Sequence, residues 1–230
     1  MMLDVKEVAR LLTVSEKTVY RWIAKNEIPA YRIGESYRFN RVELLEWATA
    51  NKIKVSYQIF DEALETGGSM PSLTEALNGG GIHYRIPGND KKDVLTSIVN
   101  IVRLPDDIDK DFLLGALLAR ENLGTTAIGD GIAIPHVRNP IIFHVNKPVL
   151  GLCFLEEAID FNALDVKPVD TVFIIVTHTV RSHLHILSRL SYALHQPEVR
   201  SVIKGTSSRK EILDALSGFE KTLESRTGSI

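Results

Sequence analysis

The chain has 230 residues, 44% hydrophobic and 24% charged, ordinary globular values that exclude the disordered and collagen-like classes. Its net charge of −2 hides a split: residues 1–55 hold ten Lys and Arg against seven Asp and Glu, and residues 56–230 hold seventeen against twenty-two. Apolar runs such as Val172-Phe173-Ile174-Ile175-Val176 fall far short of the ~20 residues of a membrane helix. One cysteine, Cys153, allows no intrachain disulfide, and the polar start shows no leader pattern.

Two domains with different partners are therefore expected, in a soluble protein of a reducing compartment, the cytoplasm, without membrane insertion. Three helix starts follow in the first 45 residues. Asp4, Ser15 and Asn40 are N-cap types, able to accept from first-turn N–H groups that lack a partner within the helix. Each has a hydrophobic-staple pair around it: Leu3 with Val8, Val14 with Val19, Phe39 with Leu44. Glu7 and Glu43 stand at capping-box spacing. The helices predicted run over about 5–12, 16–26 and 41–50, and the short turn between the first two is helix-turn-helix arithmetic.

The second helix turns Glu16, Lys17, Thr18, Tyr20, Arg21 and Lys25 outward, donors suited to phosphates and base edges. Tyr31-Arg32-Ile33 and Tyr37-Arg38-Phe39 alternate with period two around a glycine-containing turn, a hairpin signal. A three-residue loop over 34–36 places Arg32 directly opposite Arg38, a like-charge pair that a polyanion would relieve. Two arginines that merely keep a hairpin face solvated are the competing reading.

The segment "LDVKEVARLLTVSEKTVYRWIAKNEIPAYRIGESYRFNRVELLEWA" resembles the excisionase/MerR-type winged helix-turn-helix family. Thr13 departs from it where many such turns carry glycine. The resemblance implies double-stranded DNA as ligand, with the second helix in the major groove and the hairpin on the flanking backbone. Lys17, Thr18, Tyr20, Arg21, Lys25, Arg32 and Arg38 are the nucleic-acid candidates, and the modest affinity of one small unit suggests a homodimer or a multi-protein complex.

Residues 51–72 lose the pattern, apart from a short helical stretch over 57–64, and 66–72 have linker composition. Gly79-Gly80-Gly81 reads as an entry loop. The organisation expected is a winged helix-turn-helix domain over 1–52, a linker over 53–70, a second domain over 71–220 and a tail over 221–230. From Leu73 helices and strands alternate, the sign of a layered α/β domain. Helices are expected over about 91–103, 110–122, 182–195 and 208–216, and strands over 149–155 and 169–176. Ile132-Ala133-Ile134 is a brief buried strand whose pairing Pro135 ends, presenting His136 at its tip with Arg138 two residues on.

A lone histidine is more often structural than catalytic, but His136 stands in a specific context. "LLARENLGTTAIGDGIAIPHVR" and, downstream, "SHLHILSRLSYALHQPEVR" resemble the enzyme IIA domain of the phosphotransferase system, of the mannitol/fructose/nitrogen-regulatory type, over about residues 71–220. The resemblance implies a mixed-sheet α/β domain, a phosphorylated histidine at His136, an active-site arginine at Arg120 and a second active-site histidine at His183. Val137 departs from it where glycine is frequent. A neutral imidazole is a nucleophile near pH 7, and transfer is mostly positioning and charge stabilisation. Arg120 and Arg138 offer bidentate donors to phosphoryl oxygens, and His183 sits in a first helical turn capped by Ser182.

His185 is expected to be exposed, on another face of that helix. His83, His144, His178 and His195 read as loop or surface residues, and Cys153 as inert core. No metal-ligand spacing is present and no cofactor is expected. The chain thus reads as a phosphoryl carrier, not a free-standing turnover enzyme: a regulator that takes phosphate from an HPr-like phosphocarrier and binds DNA. The alternative is a sugar-transport carrier that hands phosphate to a IIB component and uses its N-terminal module for protein contacts.

Overall fold

A computed structural model describes residues 2–51, 53, 55, 70–137, 145 and 147–227. The stretch over 57–64, Arg138 and His144 lie outside the described residues. The chain divides into two units, Met1–Ser69 and Met70–Ile230.

In the first unit, β1 (Met2–Leu3) leads into α1 (Val5–Leu11) and α2 (Glu16–Ala24), followed by β2 (Tyr31–Ile33), β3 (Ser36–Asn40) and α3 (Arg41–Ala50). The antiparallel sheet has the order β1-β3-β2. Local chemistry accounts for the helix starts. Asp4 accepts from the Glu7 N–H at 2.8 Å, while the Glu7 carboxylate accepts from the Asp4 N–H at 2.7 Å. Ser15 Oγ accepts from the Thr18 N–H at 3.2 Å and Asn40 Oδ1 from the Val42 N–H at 2.9 Å. Such a cap is worth about 1 kcal/mol. Glu43 accepts the Tyr31 hydroxyl at 2.6 Å, which ties α3 to β2. Val8, Leu12, Val19, Phe39 and Leu44 form the buried core, and Trp22 meets Trp47 edge-on at 5.2 Å.

The hairpin departs from the expected register by one residue. Its turn is Gly34-Glu35, so Ile33 pairs with Ser36, Arg32 with Tyr37 and Arg38 with Tyr31. Gly34 has φ 61, which lets a two-residue primed turn match the strand twist. Arg32 and Arg38 therefore stand on opposite faces, and the like-charge conflict does not arise.

The second unit runs α4 (Leu73–Gly80), β4 (Gly81–Ile86), α5 (Lys91–Ile101), α6 (Lys110–Asn122), β5 (Ala127–Gly129), β6 (Ile132–Ala133), β7 (Val149–Ile159), β8 (Val169–Val176), α7 (Val180–Leu194), α8 (Pro197–Lys204) and α9 (Arg209–Thr227). One mixed sheet has the order β4-β7-β8-β6-β5, with β4 parallel to β7, β7 antiparallel to β8 and β6 parallel to β8. Val172, Ile174 and Val176 of β8 pack with Leu95, Ile98 and Leu113 of α5 and α6. By alternation Phe173 and Ile175 face the other side, which α4 and α7 cover with α9 beyond α4. A strand buried on both faces accounts for the unbroken apolar run in β8.

The triple glycine is not a loop: Gly79 and Gly80 end α4, and Gly81 starts β4 at φ 94. At Gly80 any Cβ would run into the Leu150 carbonyl of β7, so close backbone approach demands glycine there. The last helix, expected over 208–216, continues to Thr227, with Leu216, Glu220 and Leu223 on its buried side.

Candidate functional site

β6 and β8 pair in parallel through Ile132 with Thr171 and Ala133 with Val172, so their carboxyl ends emerge side by side at the same end of the sheet. Beyond β6, Pro135 lacks an N–H, yet its carbonyl accepts from the Ile175 N–H at 3.2 Å, and His136 bridges Ile175 in parallel. Pairing thus runs one step past the proline instead of ending at it. Val137 sits in the main core outside the left-handed region, so valine fits there without strain.

β8 leads through Thr177 and His178 into α7. The cap of α7 is Thr179, not Ser182: Thr179 Oγ1 accepts from the Ser182 N–H at 3.0 Å. Both are capping types, and the earlier one wins because Val180 and Arg181 already have helical geometry. His183 lies one turn in, its N–H bonded to the Thr179 carbonyl at 3.0 Å. The His136 and His183 rings are 5.1 Å apart between centroids and tilted by 48°. Both side chains are buried.

His136 Nδ1 lies 2.7 Å from the Ile134 carbonyl oxygen. A carbonyl only accepts, so Nδ1 carries the proton and the lone pair of the neutral ring is on Nε2. Arg120 occupies the last turn of α6, half-buried, where Nη1 donates to the Gly124 carbonyl at 2.9 Å. Arg138 lies outside the described residues.

Sequence reasoning missed Glu121. Its buried carboxylate accepts from the Thr126 N–H at 3.0 Å and the Thr126 hydroxyl at 2.6 Å, and pairs with Lys91 Nζ at 3.1 Å. The available signal was an acidic residue in the last turn of a helix with an apolar middle, three positions before Gly124 of the glycine-rich loop. The expectation for His185 fails too. His185 is buried, Nε2 donating to the Pro71 carbonyl at 3.2 Å, because α7 is covered on more than one side. Burial, then the Arg189 and Arg181 charges, press its pKa down to about 4. His83 lies on β4, half-buried, with Nε2 2.9 Å from the Gly80 carbonyl. Cys153 is buried in β7, and desolvation pushes its thiol up to about 12.

In the first unit Lys17, Arg21 and Lys25 recur every four residues from α2 into its cap, all exposed, with Tyr20 exposed and Thr18 half-buried. The Tyr20 ring meets Tyr37 of β3 edge-on at 6.4 Å, so α2 and the hairpin share a surface. Arg32, paired with Tyr37, belongs to that surface; Arg38 is on the other face, beside Tyr31.

These features define a class: a layered α/β domain with a histidine pair at the carboxyl ends of two inner strands of a mixed sheet, preceded by a small winged helix-turn-helix domain. The chain belongs to the family "Phosphoenolpyruvate-dependent sugar phosphotransferase system, EIIA 2", whose model matches residues 75–218. A helix-turn-helix domain model matches residues 2–52. The nitrogen regulatory protein of Pseudomonas aeruginosa is 33% identical over 147 residues, 62% of this chain and 93% of that protein. The fructose-specific EIIA component of the phosphotransferase system of Haloferax volcanii is 38% identical over 110 residues, 47% of this chain and 70% of that protein. Among solved structures, nitrogen regulatory protein IIA-Ntr of Neisseria meningitidis aligns with a TM-score of 0.52 at 28% identity, over 64% of this chain and 95% of that one. No helix among the described residues is long and apolar enough to cross a membrane.

Proposed function

We propose that this protein is a phosphoryl-accepting regulator that takes phosphate on His136 from an HPr-like phosphocarrier and binds double-stranded DNA through its first unit. The observation that carries the first part is the Nδ1–H bond from His136 to the Ile134 carbonyl, which leaves the nucleophilic lone pair on Nε2. That lone pair attacks the phosphorus of a phosphohistidine donor. A P–N bond forms at Nε2 as the donor's P–N bond breaks, and the donor nitrogen keeps that electron pair. His183, at the start of α7, contributes a ring N–H and the positive end of the helix to the phosphoryl oxygens. Arg120 and Arg138 add charge-assisted donors.

The family and its nitrogen regulatory relatives support this reading, and the stripe Lys17, Arg21, Lys25 beside Tyr20 and Arg32 supports DNA as the second partner. In this reading the protein works in the cytoplasm, alongside its phosphoryl donor. Resemblance to a fructose-specific EIIA component favours the second reading, delivery of phosphate to a IIB partner. Incubation with labelled phosphoenolpyruvate, enzyme I and HPr tests the carrier: label on the wild type that is lost in His136→Ala supports it, and an unlabelled wild type refutes it. Onward transfer to a IIB domain separates the two readings.

A further inference from the structure

We propose that Glu121 is a positioning residue for His136, acting through a run of hydrogen bonds that crosses the β5–β6 hairpin. Glu121 stands one residue past Arg120 and is buried. Burying a carboxylate costs several kcal/mol unless its oxygens are engaged. Here Oε1 takes Lys91 Nζ and Oε2 takes the N–H and hydroxyl of Thr126. Lys91 is itself steadied by Asn162 Oδ1 at 2.7 Å and lies 5.4 Å from the centre of the Phe161 ring. The Thr126 carbonyl then accepts from the Ile134 N–H at 3.0 Å, and the Ile134 carbonyl accepts from His136 Nδ1 at 2.7 Å.

The groups used at Thr126 and at Ile134 belong to successive peptide planes, so the run transmits position and not polarisation. On its far side the Ile134-Pro135-His136 segment is held to β8 by the Pro135 carbonyl and the Ile175 N–H. The carbonyl that selects the His136 tautomer is thus clamped between two anchors, and Glu121 makes one of them. Without it the Thr126 anchor slackens, and the Ile134 carbonyl loses its aim. The ring proton then divides between Nδ1 and Nε2, and the lone pair leaves Nε2 in part of the molecules.

The test is a pair of variants of the full chain, Glu121→Ala and Glu121→Gln, with nitrogen NMR of the His136 ring in unphosphorylated protein and the rate of phosphorylation by HPr. Glutamine keeps an acceptor for Thr126. The expected result is a single Nδ1–H tautomer in the wild type, mixed tautomers and a roughly 10-fold slower rate in Glu121→Ala, and recovery of most of both in Glu121→Gln, in the range typical of partners that orient a working histidine. A folded Glu121→Ala with the wild-type tautomer and rate overturns the proposal. Should Glu121→Ala fail to fold, Thr126→Ala drops only the hydroxyl tie; a partial tautomer shift supports the proposal and an unchanged ring overturns it. Only the rate arm rests on His136 as acceptor, so an unlabelled wild type refutes the carrier while the tautomer arm still decides the tie.

Discussion

At the scale of single residues, two histidines of α7 show how placement outweighs type. His183 and His185 are two positions apart, so they point to different sides of the helix. One meets the His136 ring, and the other is buried against the Pro71 carbonyl, where the charged form is penalised by desolvation and by Arg189 and Arg181. A histidine whose folded pKa is depressed stabilises the fold above its unfolded pKa and loses that contribution as pH falls through the window down to the folded value. With an ordinary value of 6.5 and a folded value of about 4, stability should fall by about 3 kcal/mol across that window, a steep part of the acid denaturation curve. Urea midpoints at pH 7 and pH 4.5 for the wild type and His185→Gln measure it. Removal of the titratable ring should flatten the slope, and equal slopes would show that other groups control it. The Pro71 partnership left no trace in the sequence, because it joins positions 114 residues apart.

At the scale of elements, what was legible is what is local. Asp4, Ser15 and Asn40 cap the helices they were read to cap, since the cap and its target amides lie within three residues. The alternation in the wing predicts the hairpin but not its register, because a two-residue turn at Gly34-Glu35 and a three-residue loop over 34–36 use the same residues. That single step moved Arg32 and Arg38 to opposite faces. The sequence alone does not fix the start of α7, because Thr179 and Ser182 are both capping residues three apart. The helix ending at Gly80 was hidden because glycine there answers to the Leu150 carbonyl, a distant partner. Thr13 illustrates the reverse: the departure noted in the turn falls on a φ of 54, in the left-handed region. That conformation costs an L-residue about 1–2 kcal/mol, and glycine gives some of this back through its greater entropy when unfolded. Thr13→Gly should therefore stabilise the first unit by roughly 1 kcal/mol, seen as a higher urea midpoint with an unchanged slope. A lower midpoint would show that the Thr13 side chain contributes more than its backbone strain costs.

At the scale of the molecule, the division of charge between residues 1–55 and 56–230 runs with the match of a helix-turn-helix model to residues 2–52 and of the EIIA 2 model to residues 75–218. For the first unit, DNA binding carried by phosphate contacts predicts a linear dependence of log affinity on log salt. Lys17→Ala with Arg21→Ala should weaken binding at low salt and reduce the slope by about 2, one per lost phosphate contact. An unchanged slope would remove α2 from the DNA surface. For the second unit, the central claim is that parallel pairing of β6 with β8 and the Ile134 carbonyl together present Nε2 of His136 to phosphorus. Phosphorus and nitrogen NMR of the full chain after phosphorylation by enzyme I and HPr tests that most directly. The expected product is one phosphohistidine, at His136, with phosphorus on Nε2. Phosphate on Nδ1, on His183, or on no histidine would contradict it.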